Sequence, residues 1–206
     1  MIAVLDYGIG NLASAQKALV HVGGTARLID DPDEVGEADG VVLPGVGAFG
    51  ACARALRESG LHVAALKAYE AGVPFLGICV GFQLLFDASD ESPNESGLGI
   101  VAGRVVKLSE HEKLPQMQWN VIDVAATSQM FPPVKRPRWF YFVHSYAPVL
   151  EDSSSIDAVA TCDYGGPVVA AIERDNLWGV QFHPEKSGRD GLELLERFVA
   201  RCDSAR

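Results

Sequence analysis

The sequence has no excess of basic residues, no paired cysteines and no long hydrophobic run. Among its 206 residues, 17 are Lys or Arg and 27 are Asp or Glu, which gives a formal net charge of −10. This balance argues against a general nucleic-acid-binding protein, because binding to the phosphate backbone depends on a surplus of positive charge. It does not exclude an anionic small-molecule substrate, for which a local patch suffices.

The cysteines and the N-terminus exclude further classes of protein. The four cysteines are Cys52, Cys79, Cys162 and Cys202. They are far apart in sequence, so neither a structural zinc site nor a disulfide framework is expected. No apolar run approaches the roughly 18 residues that span a membrane, and residues 1–6 lack the basic segment of a secretory signal. We therefore expect a cytoplasmic protein in which most cysteines are small buried hydrophobes.

Apolar strands alternate with helical patterns in the first half of the chain. The predicted strands lie at 2–5, 25–29, 40–43 and 73–76, and the helical patterns lie at 12–22, 51–58 and 61–71. Strands that are apolar throughout and separated by helices indicate a parallel sheet covered on both faces.

The second half of the chain is richer in strands. Beyond the polar stretch 89–96, six apolar runs follow one another without long helices between them. This spacing favours hairpins or a mixed extension of the sheet, before a last helix over about 189–201. We predict one α/β domain over residues 1–206, with a mixed, mostly parallel central sheet flanked by helices and a β-rich second half.

The segment 73–86 contains the most informative motif, a strand that runs into Gly77-Ile78-Cys79-Val80-Gly81 and leaves as a helix. Gly-x-Cys-x-Gly is the cysteine version of the nucleophile elbow, a strained turn between a strand and a helix. Such a turn places sulfur at a helix N-terminus, where the dipole favours thiolate. It also leaves the Val80 amide free to donate to an oxyanion. A buried cysteine between two glycines would give the same short pattern.

A thiolate nucleophile requires a base, and His183 is the histidine that the sequence favours. It ends the apolar run 178–182, and Glu185 returns two residues later toward the same side. A carboxylate there would hold the imidazole tautomer, although Glu185 taken alone fits better as a solvated acid of the turn. His144, which follows an aromatic strand, fits a structural and a functional role equally well.

The loop Pro44-Gly45-Val46-Gly47 follows the third predicted strand. Glycine loops after strands often bind phosphate, but neither a dinucleotide fingerprint nor a P-loop lysine is present. The loop fits a simple turn, or a segment whose permissive backbone presents N–H groups to an oxyanion. The loop, the elbow and the His-Pro-Glu turn all follow apolar strands, and strand ends are where the sites of an α/β sheet collect.

These motifs resemble those of the class I, triad-type glutamine amidotransferases over essentially the whole chain. The elbow and His183-Pro184-Glu185 are typical of the superfamily. Three further motifs resemble the glutaminase subunits of imidazole glycerol phosphate synthases. They are Tyr7-Gly8-Ile9-Gly10-Asn11, Pro44-Gly45-Val46-Gly47 and Pro184-Glu185-Lys186-Ser187.

The resemblance implies a glutaminase that converts L-glutamine and water to L-glutamate and ammonia, with a Cys79–His183–Glu185 triad and no metal or organic cofactor. It further implies an oxyanion hole, glutamine contacts and a partner face. The oxyanion donors would be Val46, Gly47 and Val80; the glutamine contacts Gly47, Gln83, Ser145 and Tyr146; and the partner contacts Asn11, Trp119, Tyr141 and Lys186. Ammonia would pass to a (β/α)8 cyclase subunit, bound as a heterodimer, in histidine biosynthesis.

Besides Val80 and Phe82, where the change keeps the position apolar, four positions depart from the pattern of this family. They are Gln116, Gln118, Cys162 and Arg197. None belongs to the implied triad, so we expect them to affect docking rather than chemistry. Two alternatives are an amidotransferase subunit of another pathway, such as pyridoxal phosphate synthesis, and a non-catalytic binding protein of the same fold.

Overall fold

The computed structural model describes residues 1–124, 128–154 and 156–205, and these residues form thirteen strands and five α-helices. The strands are β1 (Ile2–Leu5), β2 (Ala26–Ile29), β3 (Gly40–Gly45), β4 (Phe75–Cys79), β5 (Phe86–Ser89), β6 (Val101–Lys107), β7 (Gln116–Val121), β8 (Asp123–Val124), β9 (Trp139–His144), β10 (Tyr146–Leu150), β11 (Ala158–Asp163), β12 (Pro167–Arg174) and β13 (Leu177–Val180). The helices are α1 (Leu12–His21), α2 (Phe49–Glu58), α3 (Leu61–Glu70), α4 (Val80–Gln83) and α5 (Gly188–Ser204). Short 3₁₀ helices cover Pro32–Glu37 and Pro184–Lys186.

Eight strands form the central sheet, in the order β2-β1-β3-β4-β13-β12-β11-β8. The five strands from β2 to β13 pair in parallel, and the last three add to the edge in antiparallel register. The expected α/β fold with a mixed, mostly parallel sheet is therefore confirmed. Because β13 lies beside β4, the segment after β13 reaches the same end of the sheet as the elbow.

Two small sheets complete the second half, one of order β10-β6-β5 and one of the antiparallel pair β7 and β9. Strands β5 and β10 are not among the strands expected from sequence. Residues 84–86 are all buried, and a continuous apolar run of this kind fits a helix and a strand equally well. The chain thus leaves α4 after one turn and continues as β5.

The core lies on both faces of the central sheet. Every residue of β1, β3, β4 and β13 is buried, as expected for strands covered by helices on both sides. The last helix contributes an apolar face that includes Leu194, Leu195 and Phe198. None of the helices in the described residues is long and apolar enough to cross a membrane.

Candidate active site

Cys79 occupies a strained turn at the end of β4, with φ 55° and ψ −112°. Such a backbone conformation is unusual for a residue with a side chain and is typical of functional sites. The flanking glycines are needed sterically, because a Cβ at Gly81 would lie 1.8 Å from the carbonyl oxygen of Leu43 and one at Gly77 would lie 2.9 Å from Phe82 Cα. The sequence motif and the local backbone therefore agree at the elbow.

The helix that follows the elbow is shorter than the sequence suggested. Helix α4 has only four residues, so it lacks the aligned peptides that give a long helix its dipole. The dipole of α4 therefore contributes little to stabilising a thiolate at Cys79. What the turn does supply is the N–H of Val80, because the first amides of a helix have no partner within it.

His183 and Glu185 form a buried pair immediately after β13. Nδ1 of His183 lies 2.8 Å from Oε1 of Glu185, and both side chains are 3% exposed. Burial opposes the charged imidazole, but hydrogen bonds to Cys79 and Glu185 and their negative charges raise the pKa of His183 to about 10. The two neighbours therefore stabilise the protonated form of the His183 imidazole.

The turn that carries this pair is fixed to β9 through its backbone. The N–H of His183 donates to the Tyr141 carbonyl over 3.0 Å. The Ser187 hydroxyl accepts from the N–H of Tyr141 at 3.0 Å and donates to the His183 carbonyl at 2.6 Å. The Tyr141 ring packs edge-on against Trp119, an exposed side chain on β7. Tyr141 therefore links this exposed side chain to the backbone of His183.

A cavity of about 580 Å³ opens beside Cys79, at the carboxyl ends of the parallel strands. Most of the residues singled out from sequence line it: Asn11, Val46, Gly47, Cys79, Val80, Gln83, Ser145, Tyr146, His183 and Lys186. Trp119 and Tyr141 do not line it, and Glu185 stands behind His183. Within the described residues, no group of three or more His, Cys, Asp or Glu side chains could hold a metal ion.

The family model for class-I glutamine amidotransferases matches residues 3–202. The chain belongs to this family. Among curated relatives, it is 46% identical to imidazole glycerol phosphate synthase subunit HisH of Syntrophotalea carbinolica (96% of this chain and 98% of that one). It is 48% identical to the protein of the same name from Zymomonas mobilis (96% and 94%). The resemblance drawn from the motifs is therefore confirmed, and the chain groups with the HisH subunits.

Solved structures of more distant proteins share the fold. A glutamine amidotransferase crystal structure aligns with a TM-score of 0.76 at 18% identity and covers 98% of both chains. The PurLQS structure from Thermotoga maritima aligns with a TM-score of 0.74 at 20% identity and covers 97% of this chain and 96% of that one. At these identities the likeness supports the amidotransferase fold alone.

Gln83 on the cavity wall forms an amide pair with Gln181, which is fully buried and does not line the cavity. Nε2 of Gln83 donates to the Tyr146 carbonyl at 2.9 Å and to Oε1 of Gln181 at 3.1 Å. Nε2 of Gln181 in turn lies 3.8 Å from the sulfur of Cys79. Sequence reasoning singled out Gln83 but missed Gln181, although Gln181 is the one polar residue in the apolar run 178–182.

Glu91 also lines the cavity and was missed from the sequence. Its Oε2 accepts a hydrogen bond from the N–H of Phe49 at 2.7 Å, which fixes the carboxylate beside the glycine loop. The residue lies in the polar stretch 89–96, where no motif or period distinguishes it from a solvated acid. A fixed carboxylate at this place would attract a cationic group of a ligand.

His144 has features of both roles that fit its sequence context: it bonds to the backbone of Tyr146, and it lines the cavity. Nδ1 lies 2.9 Å from the Tyr146 carbonyl and must therefore carry the proton, since a carbonyl only accepts. Nε2 is buried without a partner among the described residues. Burial, and to a smaller extent the charge of His183, lower the pKa of His144 to about 4, against the effect of the Tyr146 carbonyl. His144 thus presents a neutral ring to the cavity that it lines.

Two of the four departures from the family pattern contact each other. Gln116 is fully buried, and its Nε2 lies 3.8 Å from the sulfur of Cys162. The expectation that Gln116 alters docking is therefore wrong, because the side chain packs inside the protein. Gln118 and Arg197 are exposed.

Proposed function

We propose that this chain is the glutaminase subunit of an imidazole glycerol phosphate synthase, with Cys79 as nucleophile and His183 and Glu185 completing its triad. The observation that carries the proposal is the buried imidazole–carboxylate pair held beside a cysteine on a strained elbow. The names of the HisH relatives support the choice of subunit. The proposal takes residues 1–206 as one amidotransferase domain of a cytoplasmic enzyme.

The chemistry starts with attack of the Cys79 thiolate on the carboxamide carbon of L-glutamine, which moves a pair of electrons onto the carbonyl oxygen. The His183 imidazolium gives its proton to the leaving nitrogen, so that ammonia departs and a glutamyl thioester remains. His183, now neutral, takes a proton from the attacking water, and collapse of the second intermediate releases L-glutamate and the thiolate. Glu185 stabilises the imidazolium that forms each time.

The developing oxyanion requires N–H donors, and the loop and the elbow supply candidates. The amides of Val46 and Gly47 donate no hydrogen bond within the described part of the chain. Gly47 has φ +87°, a conformation that favours glycine. Together with the N–H of Val80, these amides would bind the oxyanion.

The amino-acid end of glutamine carries an ammonium group, and Glu91 is the carboxylate on the cavity wall that would bind it. We expect Glu91→Gln to raise the KM for glutamine about tenfold or more, with a smaller effect on kcat, because a charged hydrogen bond is lost far from the reacting carbon. Steady-state glutaminase kinetics would measure this. Glu110→Gln, at an exposed acid outside the cavity, is the matched control. An unchanged KM would remove Glu91 from the glutamine site.

The partner would be a (β/α)8 cyclase subunit, bound as a heterodimer. It would use the ammonia in a lyase reaction that makes imidazole glycerol phosphate and an aminoimidazole carboxamide ribotide. Large apolar side chains are exposed on β7 and β9, which pair with each other: Met117, Trp119 and Trp139 are 61%, 48% and 47% exposed. Asn11 and Lys186 lie at the cavity that this face adjoins. An exposed apolar group of this kind is typical of a protein interface.

The proposed function is tested by the effect of the cyclase subunit on glutamine hydrolysis. We expect the isolated chain to hydrolyse glutamine poorly, and addition of the cyclase subunit and then its ribonucleotide substrate to raise kcat at least tenfold with little change in KM. One correctly aimed oxyanion donor is worth roughly 10²–10³ in rate. Trp119→Ala should weaken the stimulation, and Val149→Ala, at an exposed side chain on β10, should not. An isolated chain that is fully active and insensitive to both additions would contradict this control.

A further inference from the structure

Two buried side chains donate hydrogen bonds to the glycine loop Pro44–Gly47. The hydroxyl of Tyr7, just after β1, donates to the Pro44 carbonyl over 2.5 Å. The thiol of Cys52, on the first half of α2, donates to the Val46 carbonyl over 3.3 Å. Tyr7 is 5% exposed and Cys52 is fully buried, and neither lines the cavity that contains Cys79.

Both side chains keep the protons that these bonds need. Burial is the main cause of two shifts: it raises the pKa of the Cys52 thiol, and it raises the pKa of Tyr7 well above its usual value. At neutral pH each group is therefore a neutral donor. Cys52 is accordingly unsuited to act as a second nucleophile, since the reactive form of cysteine is the thiolate.

The two bonds fix the Pro44–Gly45 peptide and the Val46–Gly47 peptide. In a trans peptide the C=O and the N–H point in opposite directions. A Val46 carbonyl held against the buried thiol therefore turns the N–H of Gly47 away from the core. Val46 and Gly47 both line the cavity, and their amides have no other acceptor within the described residues. Between the two held carbonyls, only the Gly45–Val46 peptide is left without a side-chain anchor.

We propose that Tyr7 and Cys52 form a clamp, the loop clamp, that holds the Pro44–Gly47 loop with the Gly47 N–H toward the cavity and so positions an oxyanion donor. This inference rests on the proposed glutaminase function. Cys52 and Tyr7 touch neither substrate nor nucleophile, and both are positioning residues. The clamp would explain why a polar pair is buried directly beneath a loop that also contains two glycines.

The test is Cys52→Ala, measured in the complex with the cyclase subunit. A neutral hydrogen bond of this kind corresponds to roughly a three- to tenfold change in an equilibrium. We therefore expect kcat for glutamine hydrolysis to fall about three- to tenfold, while KM stays unchanged. Cys52→Ser keeps a donor and should restore most of the rate, and Tyr7→Phe should resemble Cys52→Ala. Cys202→Ala removes an equally buried thiol that lies against Gly40, away from the loop, and should have no effect.

Alkylation of Cys79 by iodoacetamide shows whether a clamp variant has lost the position of the oxyanion donor or the fold around Cys79. Displacement of iodide passes through no oxyanion, so the clamp variants should alkylate at the parent rate while they hydrolyse glutamine more slowly. An unchanged kcat in Cys52→Ala, or equal losses of alkylation and hydrolysis, would overturn the clamp. A parent complex that alkylates at Cys79 but does not hydrolyse glutamine would instead contradict the proposed function.

Discussion

Cys79→Ala should abolish synthesis from glutamine by the assembled synthase and leave synthesis from added ammonium intact. Without the thiol no thioester can form, and loss of the nucleophile from a coupled triad costs on the order of 10⁴–10⁶ in rate. Ammonium bypasses the glutaminase, because the partner receives its nitrogen directly. Parallel assays of the complex with each nitrogen source would measure the two activities.

The other buried cysteines provide the controls for this variant. Cys162→Ala and Cys202→Ala change the same side chain in β11 and in α5, away from the elbow, and both should keep glutamine-dependent synthesis. If Cys79→Ala lost the ammonium-dependent activity as well, the residue would be needed for folding or assembly rather than for chemistry.

The elbow and the His183–Glu185 pair could be found from the residues themselves because their surroundings are local. The elbow needs glycine at positions 77 and 81 because backbone atoms approach there, and the His183–Glu185 contact spans only two residues. Because each constraint acts within a few residues, it produces a motif that can be recognised in a short segment of the sequence. The parallel first half was predictable for the same reason, since strands buried on both faces are apolar throughout.

The residues that were missed depend on contacts distant in sequence. Glu91 is placed by the N–H of Phe49, and Gln181 by Gln83, which is 98 residues away. The loop clamp is similar, since Tyr7 and Cys52 reach the loop from two different elements. Nothing in the neighbouring sequence of these residues indicates such a partner, and only the order of strands in the sheet brings them together.

Secondary structure was less predictable in the segment just after the elbow. The run 84–86 is apolar without a period, and the chain forms one turn of α4 and then β5. The same shortness of α4 removes the dipole that the elbow motif suggested for Cys79. The pKa of His183 is instead raised by the hydrogen bonds and charges of Cys79 and Glu185 on either side of the imidazole.

His183→Asn should lower the rate of thioester formation by several orders of magnitude. The imidazole is the base and the acid of the proposed reaction, and the amide of asparagine can replace neither function. Rapid quenching of the complex with labelled glutamine would measure the glutamyl enzyme directly. Binding of glutamine should change far less, because the contacts proposed for its amino-acid end do not involve His183.

The matching variant of His144, the second histidine of the cavity, shows whether the loss in His183→Asn comes from proton transfer or from removal of any imidazole. His144 has a pKa of about 4 and is neutral at the pH of the assay, so His144→Asn removes no charge. The asparagine amide can also donate to the Tyr146 carbonyl in place of Nδ1. We therefore expect a loss of less than about tenfold in the same quench experiment, the scale of one neutral hydrogen bond. The opposite order of effects would make His144 the base and reduce His183 and Glu185 to a structural pair.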